Sequence, residues 1–88
     1  MGKYRKRTVE VEAEQVTNDN AYDVAQWCGG RVVEEIGPVD LGRTYGINVP
    51  TLEGPERASQ GDYVVKGQHG EFFTCKQHAF QHDFEKAE

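Results

Sequence analysis

Residues 59–84 constrain the fold more than any other stretch, because they place apolar side chains on both sides of what reads as a β-hairpin. Tyr63-Val64-Val65-Lys66 and Glu71-Phe72-Phe73-Thr74-Cys75 are runs rich in β-branched and aromatic residues, separated by Gly67-Gln68-His69-Gly70. If those four residues close the hairpin as a two- or four-residue loop, Lys66 lies opposite Glu71, Val65 opposite Phe72, Val64 opposite Phe73 and Tyr63 opposite Thr74. Opposed residues share a face. This register predicts Tyr63, Val65, Phe72 and Thr74 on one face, and Val64, Phe73 and Cys75 on the other. A surface hairpin needs one apolar face; two predict a central position, or a second side packed on another chain. Phe80 and Phe84, four apart, then share one face of a short terminal helix that drops onto the sheet, and His78 and His82 share a neighbouring face.

The rest of the chain supplies partners for that hairpin. From Thr8 to Val16, Val9, Val11 and Ala13 alternate with Glu10, Glu12 and Glu14, the pattern of a half-buried strand whose acidic face meets solvent. The alternation breaks at Gln15-Val16, which predicts a bulge or the strand's end. Thr17-Asn18-Asp19-Asn20 is dense in helix-capping residues. Ala21, Val24, Ala25 and Cys28 follow at helical spacing, and Gly29-Gly30 supplies the stop. Arg31–Ile36 and Arg43–Val49 read as two further strands, paired antiparallel across residues 37–42. Pro50 ends the second or marks an edge, and residues 51–60 read as a loop. The expected architecture is α+β: one small, mainly antiparallel sheet of about five strands, one packed helix and a short C-terminal helix. A basic arm over residues 1–7 precedes a single α+β domain over residues 8–88.

Eighty-eight residues leave no room for a second core. A chain of this length buries about 60–65% of its extended surface, so self-association would add stability. Mean hydropathy is low at −0.76, yet the apolar residues are clustered and periodic, which argues for a folded chain. No apolar run is long enough to cross a membrane and no signal-peptide core is present, so a cytosolic protein is expected. There Cys28 and Cys75 read as small hydrophobes in preference to a disulfide. Lys3, Arg5, Lys6 and Arg7 put +4 on the first seven residues, so a net charge of −5 leaves −9 on the remainder. An acidic body repels nucleic acid; the basic arm reads as a solvated start that keeps the first strand soluble.

Catalytic signatures are missing. No phosphate-binding glycine loop, dinucleotide fingerprint or serine-nucleophile motif occurs. Cys75-x-x-His78-x-x-x-His82 is the one metal-like spacing, but zinc wants four ligands and a first pair is lacking. The expectation is therefore no enzyme, no catalytic residue, no metal and no cofactor. By residue type, Arg43 and Lys66 are the candidates for phosphate contacts and Trp27, Tyr45 and Tyr63 for stacking on a base, should the ligand be a small nucleotide. Val64, Phe73, Phe80 and Phe84 are the candidates for a protein interface.

Two stretches carry a family likeness. Arg5-Lys6-Arg7-Thr8-Val9-Glu10-Val11-Glu12-Ala13-x-Gln15-Val16 resembles the opening of a family of small accessory proteins encoded by tailed bacteriophages, especially those of actinobacteria. Gly61-Asp62-Tyr63-Val64-Val65-Lys66-Gly67-x-x-Gly70-Glu71-Phe72-Phe73-x-Cys75-Lys76, with Phe80 and Phe84-Glu85, is similar to that family's close. The likeness spans about half the chain. This sequence departs from it at Thr8, where Pro is usual, and at Gln77-His78, where Pro-Asp is usual, which makes His78 a local variation. The resemblance implies a non-enzymatic viral protein in the host cytoplasm, a host-takeover or counter-defence factor that binds a host protein or a small ligand. By analogy with unrelated phage proteins, an oligomeric sponge for a nucleotide signal is the specific expectation. An acidic antagonist of a host protein and a minor virion structural protein are the alternatives.

Overall fold

The computed structural model describes residues 11–36 and 43–84, with the side chains of Ile36 and Arg43 outside that description. The chain runs β1 (Glu12–Gln15), α1 (Ala21–Cys28), β2 (Arg31–Ile36), β3 (Arg43–Thr51), β4 (Gly54–Ala58), β5 (Tyr63–Lys66), β6 (Phe72–Cys75) and α2 (Gln77–Asp83). The class is α+β, as expected. The described strands number six, however, and form two antiparallel sheets of three, β1-β5-β6 and β2-β3-β4, where one sheet of about five was expected.

The sixth strand is β4, which lies within residues 51–60, expected as a loop; Pro55 is its second residue, and Pro50 lies in β3. The two prolines face each other across the β3–β4 ladder, and β2 reaches only as far as Asn48 on the other side of β3. An antiparallel ladder alternates positions that exchange hydrogen bonds with positions that exchange none. Opposed prolines can occupy only the second kind. With β4 at the sheet edge, neither missing N–H deprives a further strand. The expected β2–β3 pairing is present, Arg31 opposite Asn48 through Ile36 opposite Arg43; its connection lies outside the described residues, as does the expected start of the first strand at Thr8.

The hairpin register is one residue away from the expectation. Lys66 faces Phe72, Val65 faces Phe73, Val64 faces Thr74 and Tyr63 faces Cys75. The cause is the loop. Gly67 N–H donates to the Glu71 carbonyl at 2.8 Å, so the connection is the three residues Gln68-His69-Gly70, an odd number. Gly70 sits at φ 81°, the left-handed position that ends such a loop. A one-residue slip exchanges the faces. Phe72 therefore joins Val64, and Phe73 joins Val65.

The face bearing Val64 meets α1 and the second sheet. Ala21, Val24, Ala25 and Cys28 are all buried, as the helical spacing predicts. Val24, Ala25 and Cys28 pack with Val16, Ile47, Val49, Ala58 and Val64 in one core, against which Trp27, Val32 and Phe72 lie half-buried. β5 is the centre of its sheet, and both Val64 and Val65 are completely buried. The expected break after Gln15 is a β-bulge. Val16 N–H donates to the Asp62 carbonyl and its own carbonyl accepts from Gly61 N–H, each at 2.8 Å, so two residues oppose one. Gly61, at φ 94°, is also the third residue of a turn closed by Asp62 N–H on the Ser59 carbonyl at 2.9 Å.

Candidate functional site

The outer face of the β1-β5-β6 sheet gathers four of the eight described aromatic side chains. Alternation along β5 and β6 puts Tyr63, Val65, Phe73 and Cys75 on it. α2 crosses the Tyr63 end: the Phe80 ring stacks on Tyr63 with centroids 3.8 Å apart and planes 12° from parallel. Phe84 continues the stack on Phe80 at 4.8 Å and 19°. All three rings stay half-buried, and α2 contains no buried residue. The helix is thus laid on the surface through its ring face.

Its attachment runs through Asp62, a residue only 8% exposed. That carboxylate accepts from Ser59 N–H at 3.0 Å, from Lys76 Nζ at 3.1 Å and from Gln77 N–H at 3.4 Å. Gln77 is the first residue of α2, whose N-cap, Lys76, provides no capping acceptor of its own. Asp62 fills that place from 15 residues upstream. Sequence reasoning noted Asp62 only within a motif. The signal available was Ser-Gln-Gly-Asp, a turn signature whose last residue can bond back to its first.

The predicted interface residues divide. Phe73, Phe80 and Phe84 share the outer side of this sheet, whereas Val64 belongs to the core and presents nothing to a partner. The slip in register is what puts Phe73 on the opposite face from Val64. The predicted ligand residues do not converge. Tyr63 lies under Phe80 on one face of the sheet, and Lys66, three residues on, points to the other. Trp27 packs edge-on against Phe72 at 5.1 Å and 82°, and Tyr45 leans on Tyr22 at 6.1 Å. Trp27 lines a shallow depression with Glu14, Asn20, Asp23 and Val24; Lys66 lines a different one with Glu12, Gly67 and Gln68. Carboxylates beside both work against a phosphate. Arg43 opens β3, with its side chain outside the described residues.

Both cysteines are free thiols, Cys28 buried and Cys75 half-buried. Burial pushes the Cys28 thiol up, offset in part by backbone N–H groups of Gly30 and of Cys28 itself. Burial and then the charges of Asp83 and Asp62 push Cys75 up as well. A raised thiol is a poor nucleophile at neutral pH. His78 and His82 are exposed on α2, the latter beside Asp83 at 3.0 Å. Among the described residues, no group of three or more His, Cys, Asp or Glu side chains is placed to hold a metal ion. The outer face of the other sheet carries a polar network that the sequence did not announce. Arg57 donates to Asn48 at 2.7 Å and to Glu35 at 3.4 Å, and Ser59 donates to the same Glu35 carboxylate at 2.8 Å. Every charge in it is satisfied internally, which suits a structural role.

No family model, no curated protein and no solved structure matches the chain. Among the described residues, no helix is long and apolar enough to cross a membrane.

Proposed function

We propose that this protein is a non-enzymatic binding protein that works as a homo-oligomer, in keeping with the host-directed accessory role that its likeness to small tailed-phage proteins implies. The observation that carries this reading is the outer face of the β1-β5-β6 sheet, where Phe73, Tyr63, Phe80 and Phe84 stay half-buried on a chain too small to spend aromatic surface on solvent. A second copy laid on that face would finish their burial. Native mass spectrometry and light scattering test it: the wild-type chain is expected as a dimer or larger, and Phe73→Ser as a monomer at the same concentration. A wild-type monomer at tens of micromolar refutes the oligomer. A thermal-shift panel of cyclic nucleotides and ADP-ribose derivatives tests the sponge form of the reading, which a flat panel removes.

A second reading, antagonism of a basic host protein, is favoured by the −9 carried outside the first seven residues. Its general test is capture of a host partner whose affinity falls with salt.

A further inference from the structure

The β3–β4 turn stands beside the edge strand β6, where the two sheets meet, and a cleft opens between them. Phe72 and Phe73, on opposite faces of the β6 edge, both line it, as does Leu52 at the tip of the turn. Leu52 is 86% exposed. It does nothing for the fold that a polar turn residue would not do better. A single exposed leucine needs no explanation by itself; one that shares a cleft with two half-buried phenylalanines forms part of a surface.

The charges around the cleft have one sign. Glu53, Glu56 and Glu71 line it, with no lysine or arginine among the lining residues. Glu56 accepts from the Thr74 hydroxyl at 2.9 Å and Glu71 from His69 N–H at 3.0 Å, and neither donor is a cation. The Glu53 carboxylate has no partner among the described residues. Three like charges lining one cleft repel one another, and an incoming cation relieves that repulsion. A nucleotide or a nucleic acid strand would aggravate it. A second copy of this chain, acidic over its whole body, would do the same.

We propose that this cleft docks a basic segment of another protein, inserting one apolar side chain between Leu52 and the Phe72–Phe73 edge while flanking Lys or Arg residues meet Glu53, Glu56 and Glu71. The inference rests on the antagonist reading above and gives that partner a chemistry and a place. It shares only Phe73 with the oligomer surface, which otherwise lies on the α2 side of the sheet, so Leu52→Ser tests the cleft without touching that surface.

The test is a two-dimensional amide NMR titration of the full chain with the peptide acetyl-Lys-Arg-Leu-Lys-Arg-amide. Two control peptides carry Gly in place of Leu, or Glu in place of every basic residue. Saturable shifts are expected at Leu52, Glu53, Glu71, Phe72 and Phe73, weakening as salt rises, with the Gly peptide about tenfold weaker. Leu52→Ser, at a position exposed enough to leave the fold alone, is expected to weaken binding by a similar factor. Glu53→Gln with Glu71→Gln is expected to flatten the salt dependence. Equal binding of the Leu and Gly peptides, or shifts centred on Glu12, Glu14 and Asp23, overturns the cleft while leaving the antagonist reading in place. Binding of neither basic peptide anywhere overturns both. Cleft resonances that move with salt in the absence of peptide would assign the cleft to the chain's own basic arm, and overturn the proposal too.

Discussion

Replacing Asp62 by Ala removes a buried carboxylate that three groups converge on, and its cost can be worked from those contacts. Hydrogen bonds to a charged acceptor contribute about 1.5–3 kcal/mol each. The Ser59 N–H bond, at 3.0 Å and part-buried, falls within that range, and the Gln77 bond, at 3.4 Å, belongs at or below its lower end. The Lys76 side chain is 74% exposed, so its ion pair adds only about 0–1 kcal/mol. Together these put Asp62→Ala at about 2–4 kcal/mol. For 88 residues at about 0.05–0.15 kcal/mol each, total stability is about 4–13 kcal/mol, so the loss is a large fraction of it. At about 4–8 °C per kcal/mol, the melting temperature falls by about 8–32 °C. Asp62→Asn keeps an acceptor and the volume, and should lose about half as much. Urea unfolding followed by Trp27 fluorescence reads the global change, since Trp27 packs on Phe72 at the core's edge. Amide exchange reads the local one: Gln77 to Asp83 should lose protection before α1 does. Lys76→Ala is the control, expected to cost under about 1 kcal/mol. If Asp62→Ala stays within about 0.5 kcal/mol of wild type with an unchanged urea slope, the view that Asp62 holds α2 on the sheet is wrong.

The thiols predict a pH dependence. Both are raised from the ordinary 9.0, so above that pH the unfolded chain releases protons that the folded chain still holds, and stability falls as pH rises. Urea midpoints should be level from pH 7 to about 9 and then decline, with Cys28→Ala and Cys75→Ala each showing a shallower decline. At pH 7, iodoacetamide should label half-buried Cys75 before buried Cys28, and both more slowly than an unfolded control. Two glycine substitutions separate strain from collision. In Gly30→Ala the new Cβ would strike the Asn48 carbonyl and crowd Cys28 and Ile47, for a loss of about 2 kcal/mol or more. In Gly70→Ala nothing lies within reach and only the left-handed φ of 81° is strained, for about 1 kcal/mol. Equal melting temperatures for the two variants would contradict the packing of β3 on the end of α1.

Much of the local structure was legible because its signals lie within a few residues of each other. Ala21, Val24, Ala25 and Cys28 declare a buried helical stripe whatever surrounds them, and all four are buried. The two hairpin runs were equally plain and form strands, though one residue out of the expected register, and Phe80 and Phe84 stack as their spacing predicts. Of the candidate site, Phe80 and Phe84 were legible as one helix face, being four apart; that Phe73 shares their side with Tyr63 was not, because the expected register put Phe73 and Tyr63 on opposite faces.

What the tertiary structure decided depends on partners that a local pattern cannot name. Whether the hairpin loop holds two, three or four residues is chosen by the packing on both faces of β5, and an odd loop put Phe72 with Val64 on the core side and Phe73 on the outside. β4 exists as a strand because β3 extends past the reach of β2, so two prolines meet where no ladder bond is lost. Asp62 acts through a turn three residues behind it and a helix 15 residues ahead. The acidic cleft joins Leu52 to Phe72 across the seam of two sheets that the sequence read as one. Periodicity determines which side of an element is apolar; loop parity and strand overlap determine what that side meets.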